Sequence, residues 1–107
     1  MFPSPRVLQS VSSRQTVTVS SESLVRLGTD RARTAIYVSS QSADSEILLF
    51  FVPEGGAQPA RQVVDADYVL PQLGKVFLPF GSAVDVYACL PNAVGITDAL
   101  TVIEFQG

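Results

Sequence analysis

Residues 15–20 read Gln-Thr-Val-Thr-Val-Ser, so polar and apolar side chains alternate and Val17 and Val19 lie on one face. Alternation with a period of two is typical of a β-strand that has one buried face. The same period recurs in residues 33–38 and in residues 100–105. Fifteen valines, four isoleucines and six threonines, all β-branched, favour strands over helices along the whole chain.

The other apolar runs are short and are separated by turns rich in Gly, Pro, Asn and Asp. This pattern predicts an all-β protein, a single antiparallel β-sandwich of the jelly-roll or Greek-key type with about seven to nine short strands. No window has the periodicity of a helix. The predicted strands are residues 15–20, 24–27, 33–38, 46–52, 60–64, 68–70, 75–80, 83–90 and 100–105.

Two of these runs, residues 46–52 and 75–80, are apolar on both faces. A strand of this kind is covered on both sides, either within the core or by another chain. Pro79 lies in the second run, and proline within a sheet is restricted to edge strands and bends. We therefore expect the second run at the edge of a sheet.

The N-terminal segment differs from the rest of the chain. Residues 1–13 are rich in Pro and Ser, and Pro3 and Pro5 disfavour a helix. We expect an extended N-terminal arm over residues 1–13 and a β-sandwich domain over residues 14–107. An extended arm can bind a partner by adding a strand to the exposed edge of the partner's sheet.

Composition excludes several classes of function. Hydrophobic residues make up 47% of the chain and charged residues 16%, which excludes intrinsic disorder and leaves few charges to cover the surface of a monomer. The net charge is −3 without a basic stripe, so we expect no nucleic-acid binding. The longest apolar run, residues 47–52, is far shorter than the about 18 residues that cross a bilayer, so we expect no membrane association. The N-terminus lacks the pattern of a signal peptide, which predicts a protein made in the cytoplasm.

Candidate catalytic and metal sites are few. Histidine is absent, which removes the common nucleophile–base pairs, and Cys89 lies in an apolar run typical of a buried thiol. Asp65 and Asp67 share one face of an extended segment, where two carboxylates could hold Ca²⁺ or form a polar turn. Tyr37 and Tyr68 are the aromatic residues that could form an exposed platform for a sugar. We expect no enzymatic activity and no cofactor.

Several short motifs follow one another in a recognisable order. Arg33-x-x-Ile36-x-Val38-x-Ser40 is followed by Leu78-Pro79-Phe80-Gly81, by Val86-Tyr87-Ala88 and by Leu100-x-Val102-x-Glu104. This order resembles the small β-sandwich proteins that decorate or cement the capsids of tailed bacteriophages, over roughly residues 30–105. Ser39-Ser40 stands where an Asn is common in that pattern, and the loop at residues 54–62 is longer.

The resemblance implies a structural virion protein, made in the host cytoplasm and located on the capsid surface. Such a protein bridges neighbouring subunits of the major capsid protein, commonly as a homotrimer, and multivalent contact with the lattice strengthens its binding. A head–tail connector or fibre-associated phage module and a carbohydrate-binding or adhesion module are the alternatives. Apolar residues of the arm and of the two-faced strands are the predicted partner contacts: Phe2, Val7, Leu8, Val11, Phe50, Phe51, Phe77 and Phe80.

Overall fold

The described part of the chain consists of β-strands and loops. The structure is a computed structural model, and it describes residues 10–28, 31–42, 45–58, 66–91 and 97–106. Within these ranges there is no helix that is long and apolar enough to cross a membrane. The eight strands are β1 (Ser10–Ser20), β2 (Val25–Leu27), β3 (Ala35–Ser40), β4 (Ile47–Pro53), β5 (Tyr68–Leu70), β6 (Lys75–Leu78), β7 (Val84–Cys89) and β8 (Thr97–Gln106).

The strands form two four-stranded antiparallel sheets, in the orders β1-β8-β3-β6 and β2-β7-β4-β5. Pairing is nested: β1 pairs with β8, β2 with β7, β3 with β6 and β4 with β5. The pairs β3–β8 and β4–β7 then complete the two sheets. A long hairpin rolled up in this way is a jelly roll. The predicted antiparallel β-sandwich is confirmed, and the strand order selects the first of its two predicted types.

The core lies between the two sheets, and alternation decides which side chains enter it. In β1, Val17 and Val19 face the core, whereas Thr16 and Thr18 are exposed. Similar alternation in the other strands supplies the rest of the core. The buried residues of this core are Val19, Leu27, Ile36, Val38, Ile47, Leu49, Leu70, Leu78, Val86, Ala88, Leu90, Leu100 and Val102.

Strand β4 is buried on both faces, as its sequence predicted. Ile47 and Leu49 face the core between the sheets. Leu48 and Phe50 lie on the opposite face of the same sheet, in a second buried cluster that includes Cys89. The thiol of Cys89 is therefore buried, which confirms its predicted environment.

Strand β6 is buried on one face only. Val76 and Leu78 pack against the core, but Phe77 is 50% exposed. The ring of Phe77 is therefore not covered within the core. The strand ends at Leu78, directly before Pro79, and lies at a sheet edge as the proline predicted.

Strand β1 begins at Ser10, within the segment predicted as an arm. Ser10 is the register partner of Gln106, and Val11 is the register partner of Phe105. Backbone pairing with β8 maintains the strand here, so alternation of side chains is not needed. Residues 10–13, the last four residues of the segment predicted as an arm, therefore belong to the sheet.

Two predicted features lie outside the described residues. They are the remainder of the arm, residues 1–9, and the strand predicted at residues 60–64. Each of the other eight predicted strands overlaps one strand of the structure.

Candidate functional site

The outer face of the β1-β8-β3-β6 sheet carries a row of large side chains. Register pairs join Arg14 to Ile103, Ile103 to Tyr37 and Tyr37 to Phe77, so this row crosses all four strands. At a strand spacing of about 4.8 Å the row is roughly 15 Å wide. We name this surface the aromatic face, and its apolar residues are Val11, Tyr37, Phe77, Ile103 and Phe105.

A second row lies beside the first on the aromatic face. Val11, Phe105 and Ala35 are register partners in β1, β8 and β3. Ala35 is small and buried, which leaves room for the rings of Phe105 and Phe77 to meet, with their centroids 5.9 Å apart and their planes tilted by 59°. Tilted ring pairs are favourable because the edge of one ring meets the face of the other. The two rings therefore hold each other in place at the surface.

The aromatic face is accessible to solvent at four of its five apolar residues, whereas Ile103 is buried. Val11 is 54% exposed and Phe77 is 50% exposed, and Tyr37 and Phe105 are each partly exposed. Contiguous apolar side chains on a protein surface mark interaction sites, whereas single ones are ordinary. The arrangement is suited to contact with another macromolecule through burial of apolar area.

Both charged side chains on the aromatic face are cations. Arg14 lies on β1 and Lys75 on β6, the two edge strands, so the cations flank the apolar residues. The carboxylates of these four strands lie on the inner side: Asp98 accepts a hydrogen bond from Ser42 Oγ at 2.7 Å, and Glu104 is fully buried. In the ranges that the structure describes, neither cation has an ion-pair partner.

A buried ion pair lies between the sheets at one end of the sandwich. Arg33 Nη1 is 3.4 Å from Glu104 Oε2, and both side chains are almost completely buried. Arg33 also donates hydrogen bonds to the backbone carbonyl oxygens of Phe80, at 3.2 Å, and Val84. Glu104 belongs to the first sheet and Val84 to the second, so Arg33 connects the two sheets. Its role is structural.

An open depression lies at the same end and is lined mostly by charged residues. Arg26 pairs with Asp85 at 3.8 Å, and Arg31 pairs with Glu54 at 3.5 Å. The third arginine that lines the depression is Arg33 of the buried pair. Each of these arginines has its own carboxylate, so the charges of the described lining residues and Glu104 balance.

The structure describes one of the two carboxylates considered for Ca²⁺. Asp65 lies outside the described residues. The carboxylate of Asp67 accepts a hydrogen bond from the backbone N–H of Phe51 at 2.8 Å, which favours the polar-turn alternative for this residue. Over the described ranges, no three side chains of the metal-binding types come together.

The predicted partner contacts separate into groups. Val11 and Phe77 lie on the aromatic face, as described above. Phe51 and Phe80 pack edge to face, with centroids 4.9 Å apart and planes at 75°, against the margin of the core. Phe50 is fully buried, which removes it from the set because a partner cannot reach its ring. The contacts predicted in the arm that lie outside the described residues are Phe2, Val7 and Leu8.

Three apolar residues of the aromatic face were not among the predicted contacts, namely Tyr37, Ile103 and Phe105. The sequence contains a signal for the last two, because apolar residues occupy both faces of the strand at residues 100–105. The same two-faced pattern drew attention to β4 and β6. For Tyr37, the signal lies in its register partners, which the sequence does not reveal.

No protein-family model matches this chain, and no curated protein or solved structure matches it either. What the aromatic face can bind is therefore inferred from its own geometry and chemistry.

Proposed function

We propose that this protein is a structural virion protein that decorates the capsid of a tailed bacteriophage and bridges neighbouring subunits of the major capsid protein. The observation that carries the proposal is the open aromatic face, on which Phe77 is half exposed. A surface of this kind stabilises an assembly by burying apolar area and needs no chemical step. The resemblance of the strand motifs to capsid decoration proteins supports the viral part of the proposal.

The jelly roll supports the same function as a general expectation. Jelly rolls recur in viral capsid, lectin and cupin domains, and the fold by itself does not decide among them. The cross-strand register of the sheet and the contact between Phe77 and Phe105 order the aromatic face before any partner binds. A preorganised surface loses little conformational entropy on binding, which favours affinity.

Assembly into a homotrimer is part of the proposal. A trimer would present three aromatic faces to a symmetric lattice, and the second and third contacts would form at a high effective concentration. Light scattering on the purified protein should then give three times the chain mass of 11.4 kDa. A monomer at micromolar concentration would remove the trimer from the proposal.

The location of the protein is tested on purified particles of the phage whose genome encodes it. Cryo-electron microscopy should show the protein on the outside of the head, and mass spectrometry should show many copies in each particle. Density in the tail or at the connector would favour the other phage modules. Absence from the particles would overturn the proposal.

The role of the aromatic face is tested by binding to shells of the major capsid protein that lack this chain. Phe77→Ser should abolish co-sedimentation with the shells, because it removes the most prominent apolar ring of the face. Tyr68→Ser is the matched control, since Tyr68 is also an exposed aromatic residue but lies on β5 in the other sheet. Equal binding by the two variants would contradict the role of this face.

A carbohydrate-binding module is the second candidate. Tyr37 and Phe77 are cross-strand neighbours on an open sheet, and together they present a flat apolar surface. Two results together would favour this candidate over the first. The protein would be retained on immobilised glycans, with Phe77→Ser abolishing the retention, and it would not bind shells.

A further inference from the structure

We propose that the aromatic face docks onto an apolar protein surface that carries carboxylates at its margins, with Arg14 and Lys75 each forming an ion pair in the complex. The inference rests on the proposed function and specifies the chemistry of the partner surface.

The first observation is where the two cations lie. Arg14 is in the same cross-strand row as Ile103 and Phe77, and Lys75 is the register partner of Ser39 in the adjacent row. Three strand spacings and one row separate the two cations, a distance of roughly 16 Å between backbones. Both side chains are exposed, so they can contact a partner that covers the apolar residues between them.

The second observation is the contrast with the other arginines in the described ranges. Arg26, Arg31 and Arg33 each have a carboxylate within 4 Å. The chain has more acidic than basic residues, yet Arg14 and Lys75 are ion-paired with none of the described ones. The strands of the aromatic face place their own carboxylates on the inner side of the sheet. Two unpaired cations therefore flank an apolar surface, and a partner with carboxylates at matching positions would complement both features.

The charges also argue against a second copy as the partner in a face-to-face contact. Every charged side chain that the described strands place on this face is positive. Two aromatic faces placed against each other would therefore bring together only like charges, which opposes association. The partner surface is therefore not the aromatic face of a second copy, and its carboxylates supply the charge that this face lacks.

Ion pairs at the margin of an interface act mainly on the rate of association, and salt weakens them. Charge screening has a length of about 8 Å at 0.15 M ionic strength, so the attraction between the two surfaces falls steeply as salt is added. Binding through the aromatic face should therefore weaken with increasing salt. An apolar contact without these ion pairs would lack this dependence.

The probe for the test is a purified shell of the major capsid protein that lacks this chain. Arg14→Glu and Lys75→Glu should each reduce the affinity for the shell by about tenfold or more, and each should reduce the dependence on salt. Arg31→Glu is the matched control because it makes the same change in net charge at an exposed arginine of the charged depression. The ion pair of Arg31 is exposed and contributes little to stability. The affinity of the Arg31→Glu variant for the shell should therefore change by less than about twofold.

Each outcome of this experiment has a distinct meaning. If the unmodified protein does not bind the shell, the proposed function and the inference are both overturned. If Phe77→Ser abolishes binding but Arg14→Glu and Lys75→Glu behave like Arg31→Glu, the proposed function stands and the inference is overturned. Equal losses for Arg14→Glu and Arg31→Glu would show an effect of net charge alone, which also overturns it. If the protein self-associates and Phe77→Ser abolishes this self-association, a second copy covers the aromatic face, and the inference is overturned.

Discussion

Gly28 shows how the backbone at one residue depends on an ion pair from two other parts of the chain. Its φ of 80° lies in the left-handed region, where side chains other than hydrogen are strained. A Cβ atom at this position would lie 2.5 Å from Glu104 Oε2 and 2.9 Å from Arg33 Nη1. Loss of one partner from a buried pair of this kind costs about 3–5 kcal/mol. The close approach that glycine permits therefore leaves both partners of the buried pair in contact.

Gly28→Ala should destabilise the protein more than Gly55→Ala. Gly55 has nearly the same φ, 78°, but a Cβ atom there would have no other atom within 4 Å. Gly55→Ala therefore costs only the left-handed backbone, about 1–2 kcal/mol. Gly28→Ala should cost at least about 2 kcal/mol more, because the buried pair must move. Urea denaturation followed by circular dichroism measures both losses, and equal values would show that the pair accommodates a methyl group.

At the scale of elements, alternation predicts strands well because it is a local property of the chain. Residues 68–70 form β5 with the predicted bounds, and Pro79 marks the end of β6. Pairing is not local, and the aromatic face depends on it. Val11, Phe77 and Phe105 come from three different strands, and only the register of the sheet brings them together. The strands could therefore be predicted from the sequence, whereas most of the candidate site could not.

The sheet to which a strand belongs explains why two similar phenylalanines have opposite environments. Phe50 and Phe77 each lie in a run that is apolar on both faces, so the sequence treats them alike. Phe50 lies on the outer face of the β2-β7-β4-β5 sheet, where it packs in the second buried cluster with Leu48, Tyr87 and Cys89. Phe77 lies on the outer face of the other sheet, which is the aromatic face, and it is half exposed. The sequence does not reveal which sheet a strand joins, and this decides which of the two rings a partner can reach.

Phe50→Ala should therefore destabilise the fold far more than Phe77→Ala. Removal of the fully buried ring of Phe50 leaves a cavity and should lower the free energy of unfolding by about 3–5 kcal/mol. Phe77 is half exposed and mainly loses its contact with Phe105, worth about 1 kcal/mol. Chemical denaturation of both variants at low protein concentration provides the measurement. Similar losses would indicate that Phe77 is buried in solution.

At the scale of the whole molecule, the nested pairing and the distribution of charge combine to define the surfaces. Pairing of the first strand with the last places Val11 beside Phe105 and so extends the aromatic face to the start of β1. The same fold collects Arg26, Arg31 and Arg33 with their carboxylates at one end of the sandwich. In the described ranges, each basic side chain is thus either paired with a carboxylate or placed beside the apolar surface. The low charge content of the sequence predicts a surface available for contact but does not locate it.

A circular permutant tests the nested pairing on which this surface depends. Ser10 and Gln106 face each other across β1 and β8, so a two-residue Asn-Gly turn can join them with the geometry of a hairpin. New termini between Ala57 and Gln58 lie in an exposed loop, where opening the chain is tolerated. This permutant, which omits residues 1–9, should unfold cooperatively and should bind shells if the aromatic face suffices without the arm. A permutant with the same turn, but opened within β4 between Leu49 and Phe50, should fail to fold because that strand is buried on both faces. Thermal unfolding of the two proteins makes the comparison, and loss of cooperative unfolding in the first would contradict the pairing of β1 with β8.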